Sequence, residues 1–498
     1  MNPFSWQSRA PASLSGSAGL PPEPGIRPTA LNPQILYVLV VTLLSVFAGL
    51  AVVFVEPLLV FGLILGCLFV IAVLRWPFVG LLVYVVIFIL RIAEVYPALA
   101  ALRPERVVGA LTLVSFVLSQ LQRNGRIAFD NSRQTRFLLW IVLAALVSVP
   151  LAYWRFAAIN GVTTFVKILI FYLLVVQLID TRKKLKVFVF LYCGLIAHLA
   201  FLSVRDYIAG SLLFAQGIDR AVGTTSAGGG PNEMGATMAC TIPLFFLLAM
   251  HKGRNRWRVP LLLGLGLLLI TLVITGSRSG LVGFIAGLLY LWWRSKRKVL
   301  FGILGAILLP IGFVAMPEQY QGRYATITRS EVDGSSQARL NVWMKGLRMV
   351  MDRPLTGVGI DCFGTANAMS YSVGRHSFLE SHSLYVQVPA EMGLFGAFAF
   401  FSFVVEFLRV NRRAASTIAE DEDAKDWQFE QALLLALFTG TVVLLTTGIF
   451  GHSLMRRTWY LYAALGLSTW RIHAEFIRRK TLATWQDASR DQSGIGWT

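Results

Sequence analysis

The six residues Thr275-Gly276-Ser277-Arg278-Ser279-Gly280 put a guanidinium group into a short connection between two uncharged runs. An ionisable group at membrane depth is costly and by default faces a cavity or an anion. The planar fork of arginine suits phosphate oxygens, and the flanking glycines let backbone or ligand approach closely. The plain alternative is that Arg278 snorkels to headgroup phosphates at an ordinary helix turn. A second segment, Ser381-His382-Ser383-Leu384-Tyr385, sets a histidine at the mouth of the next apolar run, with Glu391 and Gly393 following inside it. A neutral imidazole there can take a proton from a hydroxyl near pH 7. Tyr385 would share its helical face. The alternative is an interfacial cap, and His376 and His452 lie on the same side, so composition leaves the base open among them. Arg220, ahead of Pro231-Asn232, and Arg339, with Trp343, add guanidinium groups to that side. Several arginines around one cavity suit a polyanion such as a diphosphate, against the alternative of charge scattered over solvated loops.

The elements that must position these groups are membrane spans. Of 498 residues, 56% are hydrophobic and only 14% charged, and the mean hydropathy is +0.64. A water-soluble globule of that composition would be covered in exposed apolar surface. Uncharged runs cover 31–55, 57–74, 137–154, 187–204, 234–251, 259–277, 299–317 and 431–455, each able as a helix to cross about 30 Å of hydrocarbon. Shorter or interrupted runs at 76–97, 107–122, 156–179, 279–293, 383–405 and 458–470 complete an all-α polytopic membrane protein of about 12–14 transmembrane helices. Basic clusters follow every second run: Arg123 to Arg136, Arg182 to Lys186, Lys252 to Arg258, Arg294 to Lys298, Arg409 to Arg413 and Arg478 to Lys480. The positive-inside rule puts these loops and both termini in the cytoplasm. The net charge of +19 is therefore topological, and a nucleic-acid partner is not expected.

This gives a disordered cytoplasmic tail over 1–30, spans over 31–316, a large outer loop over 317–382, spans over 383–472 and a cytoplasmic tail over 473–498. Within the large loop Leu340, Trp343, Leu347 and Met351 recur at helical spacing and Arg353-Pro354 ends the pattern. That predicts an amphipathic helix on the outer membrane face, able to roof a cavity. Asp421-Glu422-Asp423 has an Asp-x-Asp form that can hold a divalent ion, but it falls on the opposite side from the arginines, and no outer carboxylate cluster replaces it. Chemistry without a metal or cofactor is expected. Cys67, Cys193, Cys240 and Cys362 are too widely spaced for a zinc site or a disulfide framework. Arg91 and Glu94 are spaced to pair structurally on one helix face.

Over about the second half the sequence resembles the O-antigen ligase and polymerase superfamily. The resemblance rests on Arg220 with Gly223 and Pro231-Asn232, on Thr275 to Gly280, on Arg339-Leu340-Asn341-Val342-Trp343 with Pro354-Leu355-Thr356-Gly357-Val358-Gly359, and on His382-Ser383-Leu384-Tyr385 with Glu391 to Gly396. It implies a multi-pass enzyme of the bacterial inner membrane, with a long, partly helical periplasmic loop over a periplasmic active site. The donor would be an undecaprenyl diphosphate-linked glycan, the acceptor a lipid, glycan or protein hydroxyl, and the transfer inverting. Arg278 and Arg220 would hold the diphosphate, His382 would be the base, and Arg339, Asn232, Tyr385 and Glu391 would contact substrate. The family's histidine is often followed by Asn where this chain has Ser383, and Gly228-Gly229-Gly230 enlarges the segment before Pro231. A polymerase of the same superfamily, a precursor transporter and a membrane scaffold are the competing expectations. A transporter would usually show related halves and broken helices at mid-membrane.

Overall fold

The computed structural model describes residues 42, 57–215, 217–223, 230–251, 256–325, 334–371 and 378–493. The expected tail over 1–30, the first run over 31–55 apart from Thr42, and His376 lie outside them. The chain falls into two compact units, residues 1–69 and 70–498. A helix, α1, covers Pro57–Arg75.

The described residues of the second unit are mainly helical, beginning with α2 (Pro77–Leu90), α3 (Pro104–Asn124), α4 (Arg133–Ser148), α5 (Arg155–Leu178) and α6 (Arg182–Ile208). A small antiparallel hairpin follows, β1 (Leu213–Ala215) and β2 (Ile218–Arg220), with Leu213 opposite Arg220. Then come α7 (Pro231–Met250), α8 (Arg258–Ile274), α9 (Arg278–Arg294), α10 (Lys298–Val314), α11 (Glu318–Ala325), α12 (Gly334–Asp352), α13 (Leu384–Glu420), α14 (Gln428–Gly448) and α15 (Arg457–Ser493). Side-chain caps start three of them where the sequence changes from polar to apolar. Ser132, Thr181 and Ser277 accept from the backbone N–H of Thr135, Lys184 and Gly280.

The chain is an all-α membrane protein. Among the described residues five helices, α5, α6 and α7 included, are long and apolar enough to cross a bilayer, and shorter apolar helices include α2, α8 and α10. On α10 no residue is buried, and Val299, Ile307, Ile311 and Val314 are all exposed. Apolar surface of that extent is tolerated in lipid and not in water.

At the centre α7 packs against α8, α9 and α14. Small residues let these helices touch, as packing in lipid requires. A Cβ on Gly280 of α9 would lie 3.0 Å from the backbone carbon of Gly235 on α7, and Gly283 would meet Thr447 of α14. Successive helices alternate in direction, so one end of the unit collects the turn 275–278, the hairpin, α11, the 378–383 segment and the 449–456 connection. The other collects the 421–427 connection and the start of α6.

One span is broken. In α13 Gly393 has φ 67 and ψ −173, four residues after Pro389. The backbone groups this frees are met by the Pro354 to Gly359 segment: Leu394 N–H donates to the Pro354 carbonyl at 2.7 Å, Val358 N–H to Ala390 at 2.8 Å and Gly359 N–H to Glu391 at 3.1 Å. A Cβ on Gly393 would sit 2.3 Å from the Leu355 oxygen, and one on Gly357 2.4 Å from the Glu391 carbon. The glycines are there because two backbones meet.

The expected amphipathic helix is α12, and it has two apolar faces rather than one. Val342, Gly346 and Met349 pack inward, and the Trp343 indole N–H donates to the Ser381 carbonyl at 3.0 Å. Leu340, Met344, Leu347 and Met351 form a separate exposed stripe. The single stripe expected from sequence spacing therefore divides, with Trp343 turned to the protein. Arg91 and Glu94 do pair, at 2.6 Å. The last helix, α15, continues to Ser493, well past the expected end of the final span.

Candidate functional site

Arg220 ends β2 and is only 2% exposed. Its Nε donates to the Thr275 carbonyl at 2.8 Å, and Nη2 to Asn232 Oδ1 at 2.8 Å. Both acceptors are neutral. Burial, and then the nearby charges of Arg323 and Arg278, bring its guanidinium down to about 10, so it stays cationic at neutral pH. Like charges held this close cost energy unless something anionic joins them.

The turn beneath is built for close approach. Gly276 has φ 55, and Arg323 Nε donates to its carbonyl at 2.5 Å. Ser277 caps α9, whose first residue is Arg278. Arg323 was not among the expected site residues. It comes from α11, docked by Tyr320, whose hydroxyl donates to the Asp219 carbonyl at 2.9 Å, and by Tyr324, which donates to the Val273 carbonyl at 3.2 Å. The signal in the sequence was this Tyr320/Tyr324 pair one helical turn apart beside Arg323.

His382 precedes the Ser383 cap of α13 and has φ 46. That left-handed conformation is uncommon for a residue with a Cβ and marks a site held by its surroundings. It turns the imidazole off the helix, so Tyr385 does not share its face. The Tyr385 ring stacks on Phe401 and its hydroxyl donates to the Leu445 carbonyl at 2.9 Å. His382 meets His452 instead, with ring centres 5.5 Å apart. Burial, then His452, then Arg339 hold the His382 imidazole below its ordinary range, which keeps it neutral at pH 7.

The arginine group and the histidine pair are joined through the first turn of α7. Asn232 takes the hydrogen bond from Arg220, and the next residue, Glu233, places its carboxylate 4.0 Å from His452 Nε2. Arg456 fastens the 449–456 connection to the same turn by donating to Thr237 Oγ1 at 2.8 Å. Glu391 is 1% exposed and accepts from Gln387 Nε2 at 3.3 Å, while Gln387 Oε1 accepts from the Leu454 N–H at 3.4 Å. Its place is thus in the frame that holds the His452 segment.

Asp361 and Glu380 both lie close enough to act electrostatically on Glu391. These residues, far apart in the sequence, come near one another because the 354–361 segment folds onto the kink of α13. Burial, and then Asp361, push the Glu380 carboxyl up to about 7. Among the described residues no group of three or more His, Cys, Asp and Glu side chains is arranged to hold a metal ion. Asp421-Glu422-Asp423 is spent structurally at the other end: Asp421 pairs with His473 at 2.9 Å, and Glu422 and Asp423 pair with Lys480 at 3.3 and 3.0 Å.

No curated protein matches the chain. A family model does match, over residues 263–401. That stretch contains Arg278, Arg323, Arg339, His382, Tyr385 and Glu391 and leaves Arg220, Asn232, Glu233 and His452 outside it. The model it matches is that of the O-antigen ligase family, so this part of the chain is similar to that family.

Proposed function

We propose that the protein is an O-antigen ligase-like glycosyltransferase, moving a glycan from undecaprenyl diphosphate to an acceptor hydroxyl without a metal. The observation that carries this reading is the joining of buried Arg220 and the partly exposed, like-charged Arg278 and Arg323 to the His382 pair through adjacent Asn232 and Glu233. The acceptor oxygen attacks the anomeric carbon from the face opposite the diphosphate, the bond from that carbon to the diphosphate breaks, and the configuration inverts. His382 takes the hydroxyl proton. The arginines neutralise charge as it develops on the leaving group, the form of catalysis that usually supplies the largest share. Arg339, on α12 beside His382, assists at the donor, and Asn232 fixes Arg220.

In this reading the end bearing the basic clusters faces the cytoplasm of a bacterial cell, with both termini, and the His382 end faces the periplasm. The exposed stripe of α12 lies on the outer leaflet. The acceptor is lipid A core, another glycan or a protein.

The test uses purified wild-type and His382→Ala protein in nanodiscs with an undecaprenyl diphosphate-linked glycan, an acceptor and excess chelator. Wild type should release undecaprenyl diphosphate, and His382→Ala should be slower by about 10²–10⁴-fold at an unchanged thermal midpoint. One glycan added per acceptor identifies a ligase, and a ladder of lengthening lipid-linked chains identifies a polymerase of the same superfamily. Full activity of His382→Ala removes the general base. Transport without release by wild type removes the enzyme reading.

A further inference from the structure

We propose that His452, oriented by Glu233, is a positioning residue that relays the proton His382 takes from the acceptor. The inference rests on the reading of His382 as the base and assigns it a partner.

The geometry has three parts. First, the two rings face each other, with centres 5.5 Å apart and planes tilted by 54°. That separation lets a ring nitrogen of one reach the other directly or across one water. Second, Glu233 Oε1 stands 4.0 Å from His452 Nε2. A carboxylate there favours the tautomer with hydrogen on Nε2, which leaves the Nδ1 lone pair open. Third, Nδ1 is buried with no hydrogen-bond partner among the described residues. A buried polar atom left unmatched costs roughly 1–3 kcal/mol, and in a native fold such an atom calls for a use.

The surrounding charges fit a relay. His452 is faced by Glu233 from α7, by Asp361 from the segment after α12, by Arg456 from its own connection and by His382. Burial outweighs the two carboxylates and holds its imidazole below the ordinary range, so it is neutral at pH 7 and ready to accept. His382 is faced by His452 and by Arg339 of α12. Glu233 is half-exposed, which opens the relay to water.

The proton count closes. The acceptor O–H gives its proton to one His382 nitrogen as the glycosidic bond forms. The resulting imidazolium passes the proton from its other nitrogen to His452 Nδ1, and His452 passes its Nε2 proton through Glu233 to solvent. One proton enters and one leaves, with no change of oxidation state.

The full chain in nanodiscs tests this, with kcat and donor KM followed from about pH 5.5 to about 9 for wild type, His452→Gln, Glu233→Gln and Glu233→Asp. Both Gln variants should lose about 10–100-fold in kcat with donor KM changed by less than about 2-fold, and Glu233→Asp should recover part of the loss. In His452→Gln the acid limb should also move to higher pH, because a like charge that lowers His382 is gone. Nitrogen-15 imidazole spectra provide a readout independent of turnover. Wild-type His452 should carry its hydrogen on Nε2, and Glu233→Gln should mix the tautomers. Wild-type kcat and pH profile in His452→Gln, or hydrogen on Nδ1 in the wild type, overturns the relay. Full activity of His382→Ala overturns the base reading and the relay with it.

Discussion

The two ends of the bundle handle charge in opposite ways. At the Asp421 end, opposite charges meet. Arg182 bridges Glu430 at 2.8 Å, with the Glu430 side chain fully buried, and its guanidinium lies 4.2 Å from the Trp427 ring centre. Asp421 pairs with His473, both nearly buried, and Trp427 stands edge-on to that histidine at 4.7 Å. At the His382 end like charges are gathered instead. Arg323 and Arg278 lower Arg220, His452 and Arg339 lower His382, and Asp361 raises Glu380. Non-glycine residues with positive φ, Asp361 and His382, also sit there. Matched charge at one end holds α6, α13, α14 and α15 in register. Like charge and backbone strain gathered at the other mark it as the candidate site for a ligand.

Breaking one charge at each end separates the two roles most strongly. Arg182→Ala strands the buried Glu430 carboxylate and should cost about 3–5 kcal/mol of stability, seen as a lower thermal midpoint, with turnover of the folded fraction retained. Arg278→Met should do the reverse, keeping or raising the midpoint while slowing transfer by about 10²–10³-fold. Equal loss of stability in both variants would erase the contrast.

A smaller effect is expected at the kink. Gly393→Ala places a Cβ against the Leu355 oxygen at a φ of 67. Strain alone is worth about 1–3 kcal/mol, and because the segment it displaces continues to Asp361, the histidine end should loosen first, with faster amide exchange at 354–361 than around Asp421.

The smallest effect is a slope. Glu380 titrates at about 7 in the fold against an ordinary 4.5. The folded state holds this proton more tightly than the unfolded one, so the contribution is complete below about pH 4.5 and is lost as pH rises through about 7. The wild-type midpoint should fall across that window relative to Glu380→Gln, in which the slope should flatten. Parallel curves for the two proteins would place Glu380 in a different environment.

Much of the scaffold is readable from local pattern. Long uncharged runs, the caps at Ser132, Thr181 and Ser277, and the stop at Arg353-Pro354 each depend on neighbours within a turn or two, so helices appear where those signals place them. Arg220, Arg278 and His382 stood out as candidates for a related reason: a polar group beside an apolar run is costly enough to be noticed. The faces of α12 were less legible, since spacing shows that an apolar stripe exists and not which of two stripes meets protein. Arg323, Glu233 and Glu380 were not singled out as site residues, and His452 entered only as one of the histidines among which the base was left open.

What the sequence by itself determined is therefore the solvent and the elements: a chain this apolar must satisfy its backbone internally in lipid, and helices do so within one segment. What only the tertiary structure decided is which polar residues meet. Asn232 and Glu233 become the hinge between arginines and histidines because α7 carries one turn between β2 and the 449–456 connection, which lie more than two hundred positions apart in the chain. Such contacts depend on how whole helices pack, and residue spacing along the chain carries no measure of that distance.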